Sequence, residues 1–300
     1  MAENFGYIGL GAMGLPMAAN LVRAGHRVMG LDTDPARMAL AKAAGIGVAR
    51  DVAQVVAESD IILACLPHTE DVEKVALGPG GLKEGDVRGK VFIDMSTTYP
   101  AKTAQIAAAL AGAGMDMLDA PISGGPTRAE EGRLSIMVGG PSAAFARARG
   151  ALEVMGNVVE HMGDAPGLGG HAKLCNQIGV YVNLASVAEC MTYAAKMGLP
   201  QDKVFRLLAN GVAGSMQLDI KAQKIIDRDW SSVGPMWMAH KDVGYVVKAM
   251  KEHGFELPFI AMMEPLLGQM RARGYEDEDQ AAIVELFEEM AGITPGESAD

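Results

Sequence analysis

Phe5-Gly6-Tyr7-Ile8-Gly9-Leu10-Gly11-Ala12-Met13-Gly14-Leu15-Pro16-Met17-Ala18-Ala19-Asn20-Leu21 reads as a short apolar strand, a turn with glycines in GxGxxG spacing, and a helix. The first glycine permits the tight turn, the second lets a pyrophosphate approach the backbone, and the third lets the helix pack on the strand. Free N–H groups and partial positive charge at the helix N-terminus favour phosphates. On this reading Gly9, Leu10, Gly11, Ala12, Met13 and Gly14 form a dinucleotide-binding loop. A glycine turn alone is a weak signal. The next apolar run, His26-Arg27-Val28-Met29-Gly30-Leu31, strengthens it by ending at Asp32, eighteen residues past Gly14. A carboxylate there accepts hydrogen bonds from ribose hydroxyls and repels a 2′-phosphate, which predicts NAD in preference to NADP. The alternative is that Asp32 only caps the turn before Pro35.

Outward from this unit the strand and helix alternation continues. Ile61-Ile62-Leu63-Ala64-Cys65-Leu66 and Val91-Phe92-Ile93-Asp94-Met95 are followed by Leu66-Pro67-His68 and Ser96-Thr97-Thr98, at the carboxyl edge where open α/β sheets bind ligands. Leu66, Pro67 and Thr97 are therefore further cofactor candidates. Met115-Asp116-Met117-Leu118-Asp119-Ala120 leads into Pro121-Ile122-Ser123-Gly124-Gly125-Pro126. Consecutive glycines after a strand can aim backbone N–H groups at one point, and the Ser123 hydroxyl adds a donor, so Ser123, Gly124 and Gly125 suit a carboxylate. A plain tight turn is the alternative. Leu134-Ser135-Ile136-Met137-Val138-Gly139-Gly140 and Val158-Val159-Glu160-His161 complete a sheet of roughly eight strands. The expected organisation is a Rossmann-type α/β domain over 1–164, a long interdomain helix over 165–197, and an all-helical domain over 198–300.

The chain has 300 residues, 49% hydrophobic and 21% charged, enough for two cores. A formal net charge of -11 argues against nucleic-acid or anionic-membrane surfaces, which need a basic face, but leaves room for a small anionic substrate. Cys65, Cys175 and Cys190 lie in apolar runs without CxxC spacing and read as reduced core thiols in a cytoplasmic protein. The start, Met1-Ala2-Glu3-Asn4, has no basic leader, and no apolar run reaches about 18 residues, so neither export nor a membrane span is expected. No His, Cys and Asp cluster has metal-ligand spacing.

Gly163-Asp164-Ala165-Pro166-Gly167-Leu168-Gly169-Gly170-His171-Ala172-Lys173-Leu174-Cys175-Asn176-Gln177 opens the second half as a glycine-rich turn running into a helix. Lys173, Gln177, Val180, Leu184, Val187 and Met191 share one stripe, with Asn176 beside them. Cys175, Ile178, Val182 and Ala185 make the opposite side apolar too, so the helix is expected to be buried nearly all round. Buried, a lysine and two amides need partners; the alternative is a surface helix whose Lys173 snorkels to water. Further helices are expected from Gln201 to Asn210, Ser215 to Asp229, Met236 to Lys251, Pro258 to Arg273, and Asp279 to Met290. In Met236-Trp237-Met238-Ala239-His240-Lys241-Asp242-Val243, Lys241 lies opposite the main apolar stripe but shares its side with Trp237 and Tyr245. That second face suits a cleft or partner subunit. A solvated lysine with cation–π packing is the alternative.

Together these motifs resemble the β-hydroxyacid dehydrogenase family, over almost the whole chain from Gly6 to about Gly292. Carrying the resemblance are the Gly9 to Leu21 loop and helix, Asp119-Ala120-Pro121-Ile122-Ser123-Gly124-Gly125 with Ala129, Gly132 and Leu134, Gly167-x-Gly169-x-x-x-Lys173 with Asn176 and Gln177, and Lys241-Asp242. The resemblance implies a nucleotide-binding domain, a long connecting helix, an all-helical second domain, and a homodimer or homotetramer. It implies that Lys173 is the general acid/base, that Ser123, Gly124 and Gly125 hold a substrate carboxylate, and that Asn176 and Gln177 orient substrate and lysine. By the same likeness Thr97 touches the nicotinamide side and Lys241 lies near cofactor and substrate. Two positions depart from the family pattern. Gln177 stands where many members have asparagine, the Asn176-Gln177 pair looking more like the tartronate semialdehyde reductases, and Gly234 replaces a frequent phenylalanine. Both lie where substrate shape is read. The expected reaction is NAD(H)-dependent hydride transfer to or from a short β-hydroxy acid or semialdehyde: 3-hydroxyisobutyrate, tartronate semialdehyde or glyoxylate, 3-hydroxypropionate, or a sulfonate analogue, with Arg128 as an extra anion contact. His171 is a rival acid/base on another helix face. A non-catalytic dinucleotide sensor is the alternative of another class, and both lysines count against it.

Overall fold

In the computed structural model, which describes residues 3–232 and 234–294, the chain divides into two compact units, Met1–Lys173 and Leu174–Asp300. In the first, short apolar runs become the strands β1 (Asn4–Ile8), β2 (Arg27–Leu31), β3 (Gly47–Val48), β4 (Ile61–Ala64), β5 (Val91–Asp94), β6 (Asp116–Asp119), β7 (Ile122–Ser123), β8 (Leu134–Gly139) and β9 (Gly156–Gly163). The intervening helices are α1 (Gly14–Arg23), α2 (Pro35–Ala43), α3 (Val52–Glu58), α4 (Thr69–Leu77), α5 (Pro100–Ala111), α6 (Gly125–Glu130) and α7 (Ser142–Met155). The strands form one nine-stranded sheet in the order β3-β2-β1-β4-β5-β6-β8-β7, with β9 alongside β8. Pairing is parallel from β3 through β6, antiparallel where β8 meets β6 and β7, and parallel again between β8 and β9. Strand order reverses at β1, the switch point at which such sheets open a crevice at their carboxyl edge.

Alternation along the central strands sends side chains to both faces, and helices cover both. Tyr7, Leu63 and Ile93 pack with Met17 and Leu21 of α1 on one side, while Ile8, Ile62 and Phe92 pack with Val55, Ile106 and Leu110 on the other. Two strands, β3 and β7, escape sequence reading. Each has two residues, too short to show a period.

α8 (Leu168–Lys196) begins in the first unit, and the division between units falls inside it rather than at either end. Its expected buried stripe holds, with Lys173, Gln177, Leu184, Val187 and Met191 buried and Val180 half-buried. Burial all round does not. Cys175, Gly179, Asn183, Ser186, Glu189 and Tyr193 form an exposed line, and Ile178, Val182 and Ala185 beside it are half-buried. Small and polar residues along that line leave little apolar surface to bury. Cys175 is accordingly an exposed thiol, not a core one, Cys65 and Cys190 are half-buried, and none of the three is in a disulfide.

The second unit is helical: α9 (Gln201–Ala209), α10 (Met216–Asp227), α11 (Met236–Glu252), α12 (Pro258–Ala272) and α13 (Val284–Met290) follow α8. One helix expected from Asp279 is instead a 3-10 turn, Gln280–Ile283, running into α13. Asp279 caps that turn by accepting from Ala281 N at 2.9 Å, while its carboxylate pairs with Lys221 Nζ on α10 at 2.7 Å. Both side chains of the pair are buried, 5% and 0% exposed, and burial pulls the Lys221 ammonium below its usual range against the opposing pull of Asp279. Among the described residues no helix is long and apolar enough to cross a membrane.

Replacing Lys221 by Met keeps the stem and removes the charge, leaving the Asp279 carboxylate buried without its cation. Urea unfolding should show a loss of about 3–5 kcal/mol. A loss below about 1 kcal/mol would mean that the pair does not hold the Asp279 turn on α10.

Candidate active site

Three glycines shape the loop after β1, each for a separate steric reason. Gly9 has φ 88°, and a Cβ on it would run into Cys65 O; a Cβ on Gly14 would run into Gly9 O. Around Gly11, by contrast, a Cβ would meet nothing within 4 Å, so glycine there leaves open the side from which a ligand approaches. Ala12 is exposed, and Met13, at the N-cap of α1, supplies no capping side chain. Leu10 N donates to Asp32 Oδ2 at 2.6 Å and Gly9 N to Leu31 O at 2.9 Å, which fastens the loop to the end of β2. Asp32 also accepts from Asp34 N at 2.8 Å, so it braces the turn before Pro35, but the α2 cap itself is Asp34, which accepts from Ala36 N. Each Asp32 oxygen has a further lone pair for a ribose hydroxyl.

At the same edge Leu66 N donates to Ser96 Oγ at 2.8 Å, joining the ends of β4 and β5. Pro67 is exposed and Thr97 half-buried in these two turns. Below them lies Asp94, which accepts from Ser96 N at 3.0 Å and Thr98 Oγ1 at 3.1 Å. Burial pushes its carboxyl up to about 6, although both of those partners pull it down.

A second carboxylate, Asp119, ends β6 beside Asp94 in register. Asp119 Oδ1 accepts from Gly167 N at 2.7 Å and Oδ2 from Gly170 N at 2.6 Å, the amides that open α8. Its carboxyl is also pushed up to about 6 by burial, opposed by those amides. One helical turn beyond Gly170, buried Lys173 donates from Nζ to Ile122 O at 2.7 Å. Ile122 immediately precedes Ser123-Gly124-Gly125, where Gly124 has φ 142° and Gly125 φ 73°. Positive φ at both makes this a glycine turn by necessity. Thus the first unit brings Lys173 and the glycine turn together, and Lys173 is buried rather than snorkelling. Asp119 is the residue that sequence reading quoted within a motif and gave no task. An aspartate ending an apolar strand was the available signal.

The second unit assembles the other candidates. Asn176 Nδ2 donates to Gln177 Oε1 at 2.8 Å, and Gln177 Nε2 donates to Asp242 Oδ2, which also accepts from Tyr181 Oη at 3.0 Å. Burial, then the Asp242 charge, holds the Tyr181 hydroxyl well above its usual range, so it stays a donor. Lys241 Nζ lies 3.5 Å from Asp242 Oδ1, 5.9 Å from the Trp237 ring centroid and 5.7 Å from that of Tyr245. The aromatics do enclose this lysine, whose side chain is 12% exposed, so it is not a solvated surface group. Asp242 and Tyr181 were not among the candidate site residues. Gly234 borders Gln280, whose Nε2 would lie 3.4 Å from a Cβ there. His171 is exposed on α8.

Residues 4–163 match the model of the NAD-binding domain of 6-phosphogluconate dehydrogenase, and residues 167–287 that of the NAD-binding part of NADP-dependent 3-hydroxyisobutyrate dehydrogenase. The chain is 37% identical to 2-(hydroxymethyl)glutarate dehydrogenase of Eubacterium barkeri, over 96% of each chain. It belongs to the β-hydroxyacid dehydrogenase family. A second relative is 2-hydroxy-3-oxopropionate reductase of Escherichia coli, 35% identical over 95% of this chain and 97% of the relative. Among solved structures, a 3-hydroxyisobutyrate dehydrogenase from Salmonella typhimurium superposes with a TM-score of 0.89 at 29% identity, covering 95% of this chain and 100% of that one. As a β-hydroxyacid dehydrogenase the protein is an NAD(P)-dependent oxidoreductase acting on CH–OH. The open side at Gly11 and the Asp32 anchor fit such a dinucleotide.

Gly11→Ala should keep the melting temperature within about 2 °C and weaken NADH binding about tenfold or more, because the methyl fills ligand space rather than protein space. Gly14→Ala should lower the melting temperature as well, since its methyl collides with backbone. Fluorescence titration and thermal melts separate the two, and equal NADH affinity in Gly11→Ala would remove the loop from the cofactor site.

Proposed function

We propose that the enzyme interconverts a short β-hydroxy acid, of the 3-hydroxyisobutyrate kind, and the matching semialdehyde with NAD(H), Lys173 acting as general acid/base. The observation that carries this reading is the buried Lys173 ammonium on Ile122 O at 2.7 Å, one residue before the Ser123-Gly124-Gly125 turn. Bound NAD(H) supplies the hydride acceptor or donor. Lys173 gives a proton from Nζ to the developing alkoxide in reduction, and its neutral form takes the hydroxyl proton in oxidation. Ser123 and the amides at Gly124 and Gly125 anchor the substrate carboxylate; Asn176 and Gln177 orient substrate and lysine; Lys241, Thr97, Leu66 and Pro67 border the nicotinamide. Preference for NAD rests on Asp32, which would sit against a 2′-phosphate. A buried lysine is an expensive feature for a sensor, which needs no proton donor.

Reduction of tartronate semialdehyde, glyoxylate or a sulfonate aldehyde is the second reading. Gln177 favours it, because its longer amide, held on Asp242 and bonded to Asn176, alters the shape read at that position. The working form is proposed to be a cytoplasmic homodimer or homotetramer, for which the exposed Leu207, Phe259 and Met262, 75%, 72% and 62% accessible, supply apolar surface.

A cofactor-linked screen of short β-hydroxy acids and semialdehydes identifies the substrate. With the best of them, Lys173→Ala should lower kcat by about 10²–10⁴; unchanged turnover would sink the acid/base assignment. Asp32→Ala should narrow the preference for NADH over NADPH, and comparable efficiency with both cofactors in the wild type would refute the role of Asp32.

A further inference from the structure

We infer that Asp119 is the positioning residue of the acid/base lysine: its carboxylate holds the first turn of α8 by the Gly167 and Gly170 amides, and this sets where Lys173 stands against Ile122 O. The inference rests on the proposed role of Lys173 and deepens it.

The geometry is a closed frame within the first unit. Asp119 is buried at 1% exposure, and both of its oxygens are committed to α8 amides, at 2.7 and 2.6 Å. Three residues after Asp119, Ile122 offers the carbonyl that receives Lys173 Nζ; three residues after Gly170 comes Lys173 itself. One stretch of chain, Asp119 to Ile122, therefore grips α8 at its amides and the lysine at its head. The space for this grip is made by glycine. A Cβ on Gly169 would lie 2.5 Å from Asp119 O and 2.9 Å from Oδ2, and one on Gly139 would lie 2.6 Å from Gly169 N and 2.7 Å from Asp119 Oδ1. A carboxylate at the start of a helix also meets the positive end of its dipole. An apolar contact would secure the helix less directionally than two charge-assisted hydrogen bonds do.

The charged and titratable groups around Asp119 are few. On β5 it is Asp94, its register partner; on α8, Lys173 and the exposed His171; on β9, the exposed Glu160, and His161, which stacks on Phe145 of α7 and whose Nε2 meets Gly140 O at 2.8 Å. β8 brings none. On α5, Lys102 is paired with Glu73, and on α7 Arg147 is paired with Glu3 and Arg149 with Glu153. Folded Asp119 takes up its proton at about 6 instead of 3.8, so protonation favours the folded state and the Asp119 contribution to stability is lost as pH rises, not as it falls. Loss of the grip in acid is thus a loss of activity without melting.

Asp119→Asn keeps the volume but places an amide NH2 where an acceptor is needed. With a turned-over acid, kcat should fall about tenfold or more while KM stays within about threefold, since binding groups are untouched and the lysine is misplaced. Hydrogen–deuterium exchange at residues 167–173 should quicken, and NADH binding should persist. Because acid neutralises Asp119 in the wild type as well, the wild-type to variant ratio of kcat should shrink as pH falls through about 6. Unchanged kcat with unchanged exchange overturns the inference, as does faster exchange with kcat and its pH profile unaltered, which is a structural role only. Asp119→Glu, which retains the charge at a longer reach, should recover part of kcat, and recovery equal to that of Asn would count against a carboxylate-specific grip. A wild type silent with every acid and semialdehyde would overturn the dehydrogenase reading itself, whereas an active wild type with an indifferent Asp119→Asn overturns the positioning role alone.

Discussion

A carboxylate can be buried at the end of a strand only if nearby donors replace its water, and at Asp119 those donors are two backbone amides of α8. Much follows from that demand. Amides can reach so deep only where no side chain intervenes, hence glycine at 139 and 169 against the carboxylate, while a Cβ at 167 or 170 would crowd Pro100. Gly167, with φ 98°, turns the chain before the helix starts. Once the first turn of α8 is fixed to β6, the helical repeat puts Lys173 one turn on, within reach of Ile122 O. Close glycines at 139 and 169 and the position of Lys173 thus go with one buried carboxylate.

The same device recurs along the carboxyl edge of the sheet. Asp32 after β2 takes the Leu10 and Asp34 amides, Asp94 at the end of β5 takes Ser96 N and the Thr98 hydroxyl, and Asp119 at the end of β6 takes α8. Three strand-end carboxylates thus hold three turns at that edge, where a charge-assisted bond is stronger than a neutral one. Asp94 and Asp119 pay with carboxyls raised to about 6, both from burial. In the second unit Asp242 works with side chains instead, receiving Gln177 and Tyr181 beside Lys241. Rigid polar frames under small-molecule sites are a general requirement for placing reacting atoms.

Periodicity and glycine spacing made the dinucleotide loop, the parallel strands and the long helix legible, because each is a local property of backbone and pattern. β3 and β7 were not legible, being two residues long. The exposed line of α8 from Cys175 to Tyr193 contradicts burial all round, since apolar composition does not say how many neighbours a helix has. The helix expected from Asp279 begins instead as a 3-10 turn, capped by an Asp279 carboxylate that also pairs with Lys221, 58 residues earlier.

By itself the sequence determined the fold class, the Gly9 to Gly14 loop with Asp32, and the stripe that carries Lys173 and Gln177, all of which depend on spacings within a few dozen residues. Only the tertiary structure decided that Asp119 meets Gly167 and Gly170, that Lys173 meets Ile122 O, and that Gln177 meets Asp242. These pairs are separated by 48, 51, 51 and 65 residues, and hydrogen bonds across such distances leave no period in the chain. They exist because packing the strands and helices brings their ends together and leaves each buried polar group to find a partner there.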